Sequence, residues 1–437
     1  MTSVVHIIHV GPMDNKGSQA LILSDVEIIR EITNEKVGIS VSTGDVEGVK
    51  ELNANLVAVV PPFIDIPYQK ADSMARKYNF QRESLKYKVI ALGFLFFMIV
   101  QAALSVFSVL LLKARIRPLY RFDSFKRLKE CDLVVSYSDE SFKETASSLP
   151  LNLFWVISWW SMLISRTWEV LLAKSLGKHV VLFPNSVGPF RTSVGKSLTK
   201  LALNNCDFVL IREQISYGIV KTLGIRSNVI LTADTALLFK SSAEYPDVNF
   251  SGFKIGVSPG IYGNSLSETE VDRYIIAHAQ VLDDCIEKYG TKISFLPHFV
   301  MGFSHDDLHM CRRIYAQMTN KDDVEIIFEP SVVKFKAILD EMDMVISSKM
   351  HPAILASTGY VPIVCIVYDH KQTGFFQRLG MTDCTLDVRN VSYEGLSSIT
   401  DHVWNKREKL SASLKKQIPL LQAEIRQAIR KAIIPYL

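Results

Sequence analysis

The chain is 437 residues long, with 48% hydrophobic and 22% charged residues and no long Gly/Ser, Gln/Asn or acidic block, a balance that excludes a largely disordered protein. Lys and Arg number 49 against 45 Asp and Glu, and the resulting net charge of +4 is too small to mark a nucleic-acid track. None of the six cysteines forms a CxxC pair, so neither a zinc site nor a disulfide scaffold is indicated, and nothing calls for a metal or cofactor.

The opening Met1–His6 lacks the basic stretch and long apolar core of a secretory leader, which points to a cytoplasmic location. Strand-like runs then alternate with amphipathic helical ones, the βαβ pattern of parallel sheets covered on both faces. The first series is Val4–Val10, Val37–Ser42, Leu56–Val60, Leu133–Ser136, Val180–Pro184, Phe208–Arg212 and Val229–Ala233. A polar, turn-rich stretch, Ser241–Gly252, separates it from Ile255–Ser258, Ile293–Pro297, Val324–Phe328, Met344–Ser347 and Pro362–Val367. This organisation predicts an α/β fold of two Rossmann-like, doubly wound domains, at 1–240 and 253–408, facing a cleft at the carboxyl ends of their strands. Residues 409–437, with Leu and Ile at helical spacing, read as an amphipathic C-terminal helix.

An insertion, 68–121, interrupts the first series and contains Val89–Leu112, a run without a single charge. As a helix it extends about 36 Å, enough to cross a hydrocarbon core of about 30 Å. A single crossing conflicts with strands on both sides of it belonging to one sheet, and basic residues at both ends (Lys86, Lys88; Lys113, Arg115, Arg117) give no orientation. A helix lying in the interface, a re-entrant hairpin broken near Gln101 and an oligomer contact remain open. The run Leu151–Ile164, with Trp155, Trp159 and Trp160, adds residues that favour the headgroup boundary, and the protein is expected on the cytoplasmic side of a membrane, peripheral or monotopic.

The turn after the first strand, Gly11–Ala20, offers free N–H groups at a helix start and reads either as an anion site or as a simple Ser18 cap; it lacks GxGxxG. His305 and His309 have a metal-capable spacing without the Glu of HExxH and read as a solvated helix. His6 and His9 read as structural, and Asp234 as a cap for Thr235–Phe239.

Several segments arrive in one order: NKGSQAL after the first strand, CDFVLIREQIS at 206–216, LTADTALLF at 231–239, FLPH at 295–298, MDMVISSKMHPAILAS at 342–357 and GYVPIVCIVYDHK at 359–371. Together they resemble the polysaccharide pyruvyl transferase family over roughly residues 4–70 and 125–385. The resemblance implies a GT-B-like fold and transfer of pyruvate from phosphoenolpyruvate onto a hydroxyl pair of a cell-surface glycan or its lipid-linked precursor. It further implies donor binding by Arg212 and by Lys349–His351, with His351 as proton donor; Lys349 stands where the family usually has Arg. Asn15, Gly17, His298 and Lys371 fall on other matched segments and join the donor-binding candidates, while Asp139, in Ser138–Ser141, is the candidate base for the acceptor hydroxyl. The nearest alternative is a nucleotide-sugar glycosyltransferase of the same architecture; that segment lacks the glycines usual in the family, which with Lys349 leaves open a non-catalytic, membrane-associated sugar-binding protein.

Overall fold

The computed structural model describes residues 3–67, 84–144, 153–241, 252–261, 266–300 and 306–437, together with 70, 71, 74 and 78, the side chains of 153–158 excepted. Most of the Ser241–Gly252 stretch, His305 and the Trp155 side chain fall outside these residues. The chain forms two compact units: Met1–Met13 with Leu21–Asp234 and Glu424–Leu437, and Asp14–Ala20 with Thr235–Ala423. The long last helix, Arg407–Ile433, therefore contributes to both units, the boundary falling four residues beyond Pro419 inside the helix.

The first unit holds a seven-stranded sheet in the order β3-β2-β1-β4-β5-β6-β7. Its strands are β1 Val4–Val10, β2 Gly38–Thr43, β3 Ala58–Val60, β4 Leu133–Ser136, β5 His179–Asn185, β6 Phe208–Ile211 and β7 Asn228–Leu231, and every pairing is parallel. The second unit holds a six-stranded parallel sheet in the order β10-β9-β8-β11-β12-β13, from β8 Phe253–Ser258, β9 Thr291–Phe295, β10 Val324–Ile326, β11 Met344–Ser347, β12 Ile363–Val367 and β13 Thr385–Asp387. Strand order reverses between β1 and β4 and between β8 and β11, so each sheet has a topological switch point at its centre. The strand beside each switch, β4 and β11, is buried along its whole length, which is why both read as uninterrupted apolar runs. The last strand, β13, was not anticipated: three half-buried residues, Thr-Leu-Asp, carry no periodicity from which to read it.

One device recurs at the amino edge of both sheets. Asp132, Asp207 and Asp343 each stand one residue before a strand and accept an amide from the first or second residue of the neighbouring strand. The bonds are from Val4 N (2.8 Å), Val180 N (2.7 Å) and Lys254 N (2.8 Å). Each Asp thereby ties down the start of a parallel pair.

Leu85–Lys113 is one unbroken helix, capped by the Ser84 side chain on Tyr87 N. The hairpin considered near Gln101 does not form: Gln101 is buried, donating to Asp65 Oδ2 (2.9 Å) and accepting the Asp65 amide (3.1 Å). Because β3 before the helix and β4 after it lie in the same sheet, the chain returns to the side from which it left. A single membrane crossing is incompatible with that topology.

Removing one amide lock gives a measure of its weight. Burial opposes ionisation of Asp207, but the Val180 amide and the Lys174 ammonium outweigh it and hold the carboxyl below its usual range. Asp207→Ala should cost about 1–3 kcal/mol in urea unfolding. With the folded pKa depressed, the wild-type contribution is present above an ordinary carboxyl pKa of about 4 and is lost as pH falls through the lower folded value. The variant should lack that acid limb; an unchanged midpoint and acid profile would show that the bond contributes nothing.

Candidate functional site

In the second unit the predicted residues meet at the carboxyl edge of the sheet. Asn15 Oδ1 accepts the Gly17 amide (2.8 Å), and Asn15 pairs with Phe299 in an antiparallel bridge just beyond β9. The buried Lys16 donates its Nζ to the carbonyls of Pro297 (3.0 Å) and His298 (3.1 Å), holding the Leu296–His298 turn. The His298 ring lies parallel to that of His351, with centroids 6.0 Å apart. His351 is the second residue of helix Met350–Thr358, and Lys349 is its N-cap without a capping side chain. Lys349 Nζ meets Asp307 Oδ1 at 3.1 Å, while Asp307 Oδ2 accepts the Phe299 amide at 2.8 Å. Lys371, in the first turn of helix His370–Leu379, is also buried.

This arrangement keeps His298 neutral. Burial is the first cause, and the charges of His351, Lys16, Lys349 and Lys371 add to it, so its pKa falls well below the usual imidazole value. Its Nε2 is buried without a hydrogen-bond partner among the described residues. Burial also lowers the Lys16 pKa to about 8, against the pull of Asp307 and Glu329. The result is a buried cluster of cations around a neutral imidazole, an environment that favours an anion with hydrogen-bond acceptors.

In the first unit Arg212 follows β6 directly. Its Nε donates to Ser186 Oγ (2.7 Å) and its Nη1 to Asp234 Oδ2 (2.7 Å), with both side chains of the ion pair almost wholly buried. Asp234 is thus the counter-charge of Arg212, because a guanidinium taken out of water requires a carboxylate. Burial disfavours the Arg212 charge, but Asp234, Asp139, Glu140 and Glu213 raise its pKa above the ordinary value. Arg212 Nη2 is buried with no partner among the described residues. Asp139 sits half-buried in a turn that is fixed from both ends: Ser138 bonds Asp25 through N (2.9 Å) and Oγ (2.8 Å), and Ser141 N reaches Asn185 Oδ1 (2.7 Å). The structure therefore groups Arg212 with Asp139, and separately Asn15, Gly17, His298, Lys349, His351 and Lys371.

Three residues of the second group escaped the sequence reading. Lys16 stood between two singled-out positions, Asn15 and Gly17, and only its buried bonds give it weight. Asp307 lay in a segment read as solvated helix, yet it is buried under Lys349, whereas His309 in the same helix is exposed. Gly260 follows β8 by two residues, and a Cβ there would collide with Lys349 Cε. A Cβ on Gly17 would likewise strike the His351 imidazole at Nδ1. Gly17→Ala should accordingly displace the His351 ring, seen as a shift of its imidazole NMR resonances, while leaving the thermal midpoint of the fold within a few degrees. Unshifted His351 resonances would mean that the close approach of the two residues is incidental.

Comparison with known proteins gives the family and the fold. The profile of the family described as polysaccharide pyruvyl transferase matches residues 48–370. The amylovoran biosynthesis protein AmsJ of Erwinia amylovora is 22% identical over 264 residues, which cover 57% of this chain and 62% of that protein; the match therefore spans less than two thirds of the relative's length. Among solved structures, a UDP-GlcNAc 2-epimerase from Neisseria meningitidis bound to UDP-GlcNAc superposes with a TM-score of 0.57 at 9% identity, covering 99% of this chain and all (100%) of that one. The glycotransferase of kitacinnamycin gives a TM-score of 0.55 at 11% identity over 100% and 99% of the two chains. At such identities the structural likeness speaks for the fold alone, a GT-B-like pair of Rossmann-type domains with an apolar helix inserted in the first. Since the family profile covers most of its length, the chain belongs to the polysaccharide pyruvyl transferase family.

Proposed function

We propose that the protein transfers pyruvate from phosphoenolpyruvate onto two hydroxyls of a sugar in a cell-surface polysaccharide or its lipid-linked precursor, working at the cytoplasmic surface of a membrane. The observation that carries the reading is the buried cluster of Lys16, Lys349 and Lys371 around the neutral His298 and beside His351. Phosphoenolpyruvate has a carboxylate and a phosphate, and both need cations or N–H donors to leave water. In the reaction His351 gives a proton to the methylene carbon while a sugar hydroxyl attacks the neighbouring carbon and yields its proton to a carboxylate base. Phosphate then departs with the C–O bond electrons, and the second hydroxyl closes the ketal, its proton passing to the base that His351 has become. Arg212, whose Nη2 is buried with no partner among the described residues, offers a donor to an anionic oxygen. Lys349 in place of the family's usual Arg presents a point charge where a guanidinium would present a fork, and Asp307 already claims part of that charge.

Two measurements test this. His351→Ala should lower the rate of phosphate release from phosphoenolpyruvate, in the presence of an acceptor glycan, by about 100-fold or more while phosphoenolpyruvate still raises the melting temperature. UDP-GlcNAc in the same melting assay should have no effect; stabilisation by the nucleotide sugar and none by phosphoenolpyruvate would overturn the assignment. The second test is pH. Lys16 titrates at about 8, below its ordinary value, so it is a cation on the acid side and neutral on the alkaline side. The phosphate of the donor is fully ionised well before that point, its second pKa lying near 6. KM for phosphoenolpyruvate should therefore rise through pH 8–9, and Lys16→Met should abolish that limb. A flat profile would remove Lys16 from anion binding.

A further inference from the structure

The helix Leu85–Lys113 packs with its polarity reversed. The face it turns into the first unit carries Tyr87, Gln101, Ser105 and Ser108 along with Met98, Val109 and Leu112. Its polar groups are tied down there: Gln101 to Asp65, Ser105 Oγ accepting the Trp168 indole N–H (2.8 Å), and Ser108 Oγ donating to the Leu104 carbonyl (2.8 Å). The opposite face is apolar and bare. Phe96 is 71% exposed, Ile99 63% and Leu110 58%, and the surface continues past the helix into Ile116 and into Leu119 at 93%. A contiguous apolar face of this kind on a protein surface marks a site that is covered in use.

We propose that this face lies in one leaflet of an anionic bilayer, with the helix parallel to the membrane plane at the boundary of headgroups and acyl chains. The inference deepens the membrane-surface reading given above and is independent of the donor chemistry. Charge selects the occupant. Lys86 and Lys88 at one end, and Lys113, Arg115 and Arg117 at the other, are all exposed, and no acidic residue occurs between Leu85 and Arg121. A second copy packed along the helix would set basic end against basic end in either orientation, with no carboxylate between Leu85 and Arg121 to compensate. A sheet of anionic headgroups complements both ends at once while the acyl chains take the apolar face. The lock between Gln101, Asp65 and Arg121, whose Nη2 meets Asp65 Oδ2 at 2.7 Å, holds the helix against the unit with this face outward. Strands β3 and β4 in one sheet forbid passage to the far side, so the insertion enters one leaflet only.

The test is flotation of the full-length protein with vesicles of phosphatidylcholine alone and of phosphatidylcholine with phosphatidylglycerol. Binding to the anionic vesicles should exceed binding to the neutral ones by about tenfold and survive a high-salt wash in part, since apolar contact is not screened. The double variant Phe96→Glu/Phe107→Glu, both sites being exposed, should lose at least about tenfold in vesicle binding and keep its melting temperature and its response to phosphoenolpyruvate. Orientation is read separately. The six native cysteines are all buried, so single variants Leu92→Cys, Ile99→Cys and Leu110→Cys accept a fluorescent label selectively. Quenching by lipids labelled at known depths should place all three at one shallow depth, whereas a spanning helix would spread Leu92 and Leu110 over about 27 Å. That spread, equal binding to neutral and anionic vesicles, or a vesicle-indifferent protein that dimerises through this helix would each overturn the proposal. Because phosphoenolpyruvate binding is followed in the same samples, failure at the membrane and failure of the transferase reading give different results.

Discussion

The cost of taking charge out of water governs how this protein is built around its candidate site. Lys16, Lys349 and Lys371 are all buried at the carboxyl edge of the second sheet, and the Asp307 carboxylate is bonded directly to Lys349. The remaining cost is met locally. Lys16 spends its donors on two backbone carbonyls and has its pKa lowered, and His298 stays neutral. The same economy explains the glycines at 17 and 260, where a side chain would displace His351 or Lys349. An anionic ligand would meet preformed positive charge whose desolvation has already been met by the fold.

The first unit answers the same constraint differently. Arg212 is held by Asp234 and Ser186, and the Asp139 turn is held by Asp25 and Asn185, so both are rigid before any ligand arrives. Parallel sheets make this economical. Their strands are buried on both faces, so polar residues are driven to the strand ends, and the Asp132, Asp207 and Asp343 locks at the amino edge leave the carboxyl edge for chemistry.

The inserted helix is the exception to that rule. Its polar stripe points inward and its apolar face outward, an arrangement made tolerable by the hydrogen bonds of the buried Gln101, Ser105 and Ser108. Hydropathy made the segment conspicuous, yet the same hydropathy suits a spanning helix, a hairpin and an in-plane anchor. What separates them is the pairing of β3 and β4 in one sheet together with the burial of Gln101.

The sequence by itself determined the alternation of elements, twelve strands to within two residues of their ends, and the positions that carry the family likeness. These are legible because a strand buried on both faces must be apolar throughout and because ligand-binding turns recur as contiguous motifs. It did not determine β13, the partner of Arg212, or the parts played by Lys16, Asp307 and Gly260. Each of those depends on a neighbour distant in sequence: Asp307 acquires meaning from Lys349, and Lys16 from the carbonyls of Pro297 and His298. Burial and pairing belong to the assembled structure, because the free energy of a charge is set by what surrounds it in space and not by what precedes it in the chain.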